Sequence, residues 1–293
     1  PLQELNDMDY ASKIDGKMHA CGHDSHTAMA LGAAKLLAQE KLNGRVRFLF
    51  QPSEEDADEE GFSGAQRMVD DGAMGGVDYV IALHIDPKLH VGEIAIHAGP
   101  SSGGVDSWYA EIIGKGGHGA YPHGTIDPFY ILSHIIIALN AIVSRRIDPF
   151  APAAVSIGSV HAGFTENVIP QSVKLTGTLR YTKPEVQKII HEEIKRAFEI
   201  SKTLGGDYTL NLVIGSPPMI NEEKVVAMIG AVGRDLLGAE NVTAGEPTLG
   251  AEDFGSFMNL APGAMFSLGV QKKGHEEYLL HHPKFDLDER ALP

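Results

Sequence analysis

Ser107-Trp108-Tyr109-Ala110-Glu111-Ile112-Ile113 reads as a β-strand, and the succession of elements that begins there decides the fold. Helical periodicity covers 127–147, and strands are expected at 153–160 and 173–181. A second helix is expected at 184–204 and a last strand at 208–214. Asp127-Pro128 supplies an N-cap residue followed by proline at the first helical position. Thr182 and Glu185 have capping-box spacing with Pro184 between them. The order β-α-β-β-α-β is the ferredoxin-like split unit.

Two turn-rich joints bracket this unit, Gly99-Pro100-Ser101-Ser102-Gly103-Gly104 and Gly215-Ser216-Pro217-Pro218. Residues 105–215 therefore read as a small α+β domain inserted into a larger one, formed by 1–104 and 216–293. In the flanking parts, strands are expected at 45–50, 79–83 and 264–270. Helices are expected at 27–42, 64–71 and 222–237, with Gly44 and Gly72 where C-terminal caps belong. Strands alternating with helices predict an α/β domain, a mostly parallel sheet with helices on both faces.

Composition narrows the function. The 293 residues exceed what one core usually holds. A net charge of −15 argues against a nucleic-acid partner, which needs clustered cations. A single cysteine allows no disulfide within the chain and fits a reducing compartment, so a cytoplasmic location is expected. No membrane partner is expected either, because the most apolar stretch, 135–143, is short and interrupted by Asn140. The acids after Glu55 in Glu54-Glu55-Asp56-Ala57-Asp58-Glu59-Glu60 read as a solvated loop.

The chemistry-bearing residues lie in four places. Met18-His19-Ala20-Cys21-Gly22-His23-Asp24-Ser25-His26-Thr27 packs one thiol, three imidazoles and a carboxylate directly before a helix. Cys21 and His23, two apart, can face one ion, and thiolate with imidazole suits zinc and similar divalent metals. Taken alone, the segment also reads as a buried thiol beside helix-capping residues. Gln51-Pro52-Ser53-Glu54-Glu55 comes directly after the strand expected to end near Phe50, and Leu83-His84 ends the next one. Ligands of open α/β sheets bind beyond the carboxyl ends of strands, so these groups point to one crevice. Leu280-His281-His282-Pro283 adds two histidines that strand and helix patterning do not separate.

Met18 to Ala28, Gln51 to Glu55 and Gly116-Gly117-His118-Gly119-Ala120-Tyr121-Pro122-His123 closely resemble the dinuclear-metal amidohydrolases. That family includes hippurate hydrolases, N-acyl-amino-acid aminoacylases, N-acetyl-diaminopimelate deacetylases and indole-acetyl-amino-acid hydrolases. Asn167-Val168-Ile169-Pro170, Gly177-Thr178-Leu179-Arg180 and Ala251-Glu252-Asp253-Phe254 match in the same order, so the resemblance covers the whole chain. It implies a zinc-peptidase-like α/β domain with an inserted α+β lid. It also implies two divalent metal ions (Zn, Mn, Ni or Co) held by Cys21, His23, Glu55, His84 and His281, with Cys21 bridging. Glu54 matches the general base that activates water between the ions. His118 matches a histidine that steadies the oxyanion, often across a dimer interface. Asn167 and Arg180 match lid residues that grip a substrate carboxylate. The implied reaction is hydrolysis of N-acyl amino acids by a homodimer joined through the lid.

Each assignment has a plainer alternative. Arg180 fits a surface ion pair, Asn167 a turn, and His118 a loop. His26 and His123 read as supporting residues rather than ligands, Asp24 as a group that orients a ligand or caps the following helix, and Glu252 as a candidate for the cleft wall. Alternative activities are a metallo-aminopeptidase or dipeptidase of the same clan, or a non-catalytic binding protein. Relatives begin with a strand, a helix and an Asp-Met-Asp-Ala-Leu-Pro motif. Pro1 matches the final proline of that motif, so the chain is expected to be truncated at both ends.

Overall fold

The computed structural model describes residues 2–272, 274, 276 and 278–293. Pro1, the match to the last proline of the relatives' motif, lies outside them.

In chain order the first elements are α1 (His23–Leu37), α2 (Gly64–Asp70), β1 (Val80–His90), β2 (Ile94–Ile96) and β3 (Gly99–Ser102). The middle of the chain supplies β4 (Gly104–Ile113), β5 (Gly117–His118), α3 (Pro128–Arg146), β6 (Ala153–His161), β7 (Val168–Ile169), β8 (Ser172–Tyr181), α4 (Pro184–Thr203) and β9 (Asp207–Ile214). The last part holds β10 (Met219–Asn221), α5 (Glu223–Leu237), β11 (Val242–Ala244), α6 (Gly255–Met258) and β12 (Gly263–Gln271).

The first sheet runs β1-β12-β2-β11. β1 is parallel to β12 and β2 to β11, while β12 and β2 are antiparallel. Side-chain alternation assigns helices to both faces. Val80, Ala82 and Met265 pack with Ala65 of α2 and Phe257 of α6. Ile85, Ala264 and Phe266 face the other way, where Met29 of α1 packs on Ile85 and Val225 of α5 on Ala264. The strand expected at 45–50 does not form. It finds no ladder partner among the described residues, and Val46 and Phe50 stay exposed. A strand without a neighbour leaves its backbone groups unpaired.

The second sheet, β6-β8-β4-β9, is antiparallel throughout. Its order and connections are those of the ferredoxin-like unit. α3 begins as expected: the Asp127 carboxylate accepts from Phe129 N at 2.8 Å, and Pro128 follows the cap. The capping box expected at Thr182 is absent, because Pro184 opens α4 and makes Lys183 the N-cap. α3 is long and apolar enough by length and composition to cross a membrane, a property that the short run 135–143 does not reveal. Its Ile131, Ile135, Leu139 and Ile142 are instead buried against Ile190, Ile194 and Phe198 of α4 and against the sheet. Fully burying each such side chain contributes roughly 1.5–3 kcal/mol.

The two turn-rich joints lie side by side. β3 and β10 pair antiparallel, Val105 N donates to Ser216 O at 2.9 Å, and Gly215 N donates to Val105 O at 3.1 Å. The buried Asp106 carboxylate also accepts from Gly215 N at 3.1 Å, from Gln187 at 2.8 Å and from His191 at 2.6 Å. The chain thus enters and leaves the second sheet through one hydrogen-bonded ribbon.

Gly177 sits where β8 passes Trp108, and an added Cβ would lie 2.2 Å from the indole and 2.3 Å from Ser156 O. Gly177→Ala is expected to lower unfolding stability by about 1–3 kcal/mol in a denaturant titration. Gly44→Ala, which has open space around it, should change stability by less than about 0.5 kcal/mol.

Candidate metal centre and active site

Cys21 and His23 are brought together by the glycine between them. Gly22 has φ 72°, a left-handed conformation that suits glycine. A Cβ there would also lie 2.2 Å from Ile85 Cδ1, so the turn packs tightly on β1. α1 starts at His23, earlier than the sequence periodicity suggests, and this places His23 in its first turn. Asp24 does not cap α1. It is exposed, 3.9 Å from His19.

His84 projects from β1. Its Nδ1 lies 2.7 Å from Ile85 O, and a carbonyl only accepts, so Nδ1 carries the proton. Nε2 is then the free lone pair, and it faces Cys21 Sγ at 3.4 Å. Glu54 and Glu55 sit on the loop before α2, which is anchored from below. Buried Asp253 accepts from Gln51 Nε2 at 2.8 and 2.9 Å and from Ala65 N at 3.1 Å. Gly64 lies against this loop so closely that a Cβ would meet Pro52 O at 1.5 Å. His281 Nε2 lies 3.1 Å from Glu55 Oε1, and His281 N donates to Ala20 O at 2.8 Å. Among the described residues, the non-glycine positions with positive φ are Ser53, beside Glu54, and His281 itself. Left-handed backbone at ordinary residues is costly and gathers at functional sites.

Four groups of ligand-type atoms result among the described residues, and two of them contain Cys21: Cys21 with His23 and His84, and Cys21 with Glu55 and His281. Within each, the atoms lie within 4.8 Å of one another, and Cys21 belongs to both. Glu54 is in neither of the Cys21 triads. Its carboxylate stands 3.8 Å from His23 Nε2 and groups with His23 and Glu55 on one side and with Glu252 and Asp253 on the other. Burial, followed by the charges of Glu252, Glu55 and Asp253, pushes Glu54 up to about 8. Glu252 is pushed up to about 7, chiefly by burial. The Cys21 thiol is driven well above its ordinary range by burial and then by Glu55, Glu54 and Glu252. Burial lowers His84 and takes His26 down to about 3. No lysine or arginine pairs with Cys21, Glu54 or Glu55 among the described residues. Carboxylates, a thiol and neutral imidazoles crowded together without a cation of their own form a donor set that fits divalent metal.

The lid residues are placed apart from this cluster. His118 and Asn167 share one small ladder: His118 pairs with Val168, and Gly119 N donates to Asn167 O at 2.8 Å. Both side chains are exposed. Arg180, half-buried on β8, donates from Nη1 to Thr178 Oγ1 at 2.7 Å. Among the described residues, none of the three bonds to the Cys21 cluster. The supporting roles of Gln51 and Asp253 are not apparent from sequence. The available signals were the motif Gln51-Pro52-Ser53-Glu54-Glu55 for the first and Ala251-Glu252-Asp253-Phe254 for the second.

Comparison with known proteins gives one consistent result. The chain is 39% identical over 296 residues to N-acetylcysteine deacetylase of Bacillus subtilis, covering 100% of this chain and 75% of that protein. It is 38% identical over 301 residues to thermostable carboxypeptidase 2 of Saccharolobus solfataricus, covering 100% and 74%. The crystal structure of the Bacillus subtilis YXEP protein, a dinuclear metal binding peptidase of family M20, superposes with a TM-score of 0.83 at 34% identity. That superposition covers 100% of this chain and 74% of that one. The sequence profile of peptidase family M20/M25/M40 matches residues 1–292, and the chain belongs to that family.

Proposed function

We propose that this chain hydrolyses the amide bond of N-acyl amino acids, releasing a carboxylate and the free amino acid. The observation that carries the reading is the membership of Cys21 in two ligand triads, with the carboxylate of Glu54 outside both and within reach of a ligand from each, His23 and Glu55. Cys21, His23 and His84 would hold one divalent cation, and Cys21, Glu55 and His281 the other. Such a pair would supply Lewis acidity and would lower the pKa of water toward neutrality. Glu54 takes the proton from water and returns it to the leaving amine. Arg180 keeps further guanidinium donors for a substrate carboxylate, and its partial burial strengthens that pairing. Asn167 holds the same end, and His118 donates a hydrogen bond where negative charge develops.

The acylated class is supported by the deacetylase relative. Peptide substrates are a second reading, favoured by the name of the carboxypeptidase relative. Hydrolysis of N-acetyl, N-benzoyl and indole-acetyl amino acids should exceed that of dipeptides with a free amino end by at least tenfold. The reverse preference would assign the chain to peptide cleavage.

Purified protein is expected to carry about two divalent ions per chain by elemental analysis. Chelation should abolish turnover, and returning the metal should restore it. Glu54→Gln should retain both ions and lose about 10²–10⁴-fold in kcat, the range typical of a lost acid–base group. A Glu54→Gln enzyme with normal kcat removes Glu54 from the mechanism.

Among the described residues His118 makes no bond to the cluster, and it would serve the cluster of a second copy in a lid-to-lid dimer. Mixing inactive Glu54→Gln with inactive His118→Ala should then regenerate activity through mixed dimers. Complete failure of complementation, with mixed dimers demonstrated, would place His118 and Glu54 in the same subunit's site.

A further inference from the structure

The geometry points to His26 as a positioning residue that fixes His23 and His84 relative to each other. This inference rests on the two-cation reading of the site and adds a residue outside the ligand set. His23 rides on α1 and His84 on β1, so their separation depends on how those two elements are joined. His26, one helical turn after His23, supplies the joint: Ile85 N donates to His26 Nε2 at 3.1 Å. A backbone N–H only donates, so Nε2 is the acceptor and is thereby withdrawn from metal binding. The other backbone group of Ile85 is also engaged, because its carbonyl accepts from Nδ1 of His84 at 2.7 Å. One residue of β1 therefore orients two imidazoles through its two backbone groups.

The ring positions agree with this contact. His26 lies 5.4 Å from His23 and 4.8 Å from His84 between centroids, and His23 and His84 are 5.9 Å apart. His26 fills the space against which both ligand rings rest. Ile85 is buried, so replacing His26 with an apolar side chain leaves its N–H without an acceptor in an apolar setting. The packing of Met29 and the Gly22 turn on Ile85 remains, but the hydrogen bond that sets the register of β1 against α1 is lost, and the spacing of the ligand pair is loosened. Supporting groups of this kind typically contribute 10–100-fold to metal affinity.

The test titrates Co²⁺ into metal-free wild type, His26→Leu and His26→Gln, recording affinity and the thiolate-to-cobalt absorption of Cys21. A glutamine amide oxygen can accept from Ile85 N where leucine cannot. His26→Leu is expected to bind 10–100-fold more weakly with an altered spectrum, and His26→Gln to stay within about threefold of wild type with the native spectrum. Equal affinity and spectrum in His26→Leu would overturn the assignment. If His26→Leu does not fold, His26→Gln decides: native binding upholds the role, and a loss of tenfold or more overturns it. Failure of the wild type to bind Co²⁺ would instead refute the two-cation reading itself.

Discussion

Cys21 sits at the meeting point of two sets of donors, and the organisation of the first sheet serves that placement. Partial burial and then the charges of Glu55, Glu54 and Glu252 raise the Cys21 thiol well above its ordinary range. The cluster is therefore an unfavourable arrangement for an apoprotein and a favourable one for a protein that binds divalent cations. Its cost is visible in the backbone as well, in the left-handed conformations of Ser53 and His281.

The supports around the cluster explain how a set of loops achieves fixed geometry. Gly22 lets the Cys21 turn close onto Ile85, and Gly64 lets α2 close onto the Glu54 loop. Asp253 ties that loop to α2 from the opposite side of the sequence. Close backbone approach and buried hydrogen bonds do here what regular ladder pairing does elsewhere. The lid is built differently, around a continuous apolar core with Trp108 and Phe198 edge to face at 5.8 Å. It joins the first sheet through the paired strands β3 and β10.

The lid was legible from sequence because its signals are local. Asp127-Pro128 fixes a helix start, and helical and strand periodicity fix the element order. Local signals also misled where they competed: Thr182 has capping-box spacing, yet Pro184 at the first helical position moves the cap to Lys183. The strand at 45–50 failed for a non-local reason, since β-propensity does not supply a ladder partner. The cluster itself joins residues as distant as Glu55 and His281, separated by 226 positions. No spacing rule predicts such a contact: Glu55 was a candidate from an expected strand end that does not form, and His281 only from the match of several motifs in order. His26 illustrates the remaining gap, because its partner is a backbone N–H that no side-chain pattern announces.

Whether Cys21 joins two cations can be read from anomalous diffraction by crystals of the metal-loaded protein, recorded on either side of the metal's absorption edge. Two peaks per chain are expected, one beside His23 and His84 and one beside Glu55 and His281, with Cys21 Sγ between them. A single peak, or two peaks that do not share Cys21, would refute the bridging role.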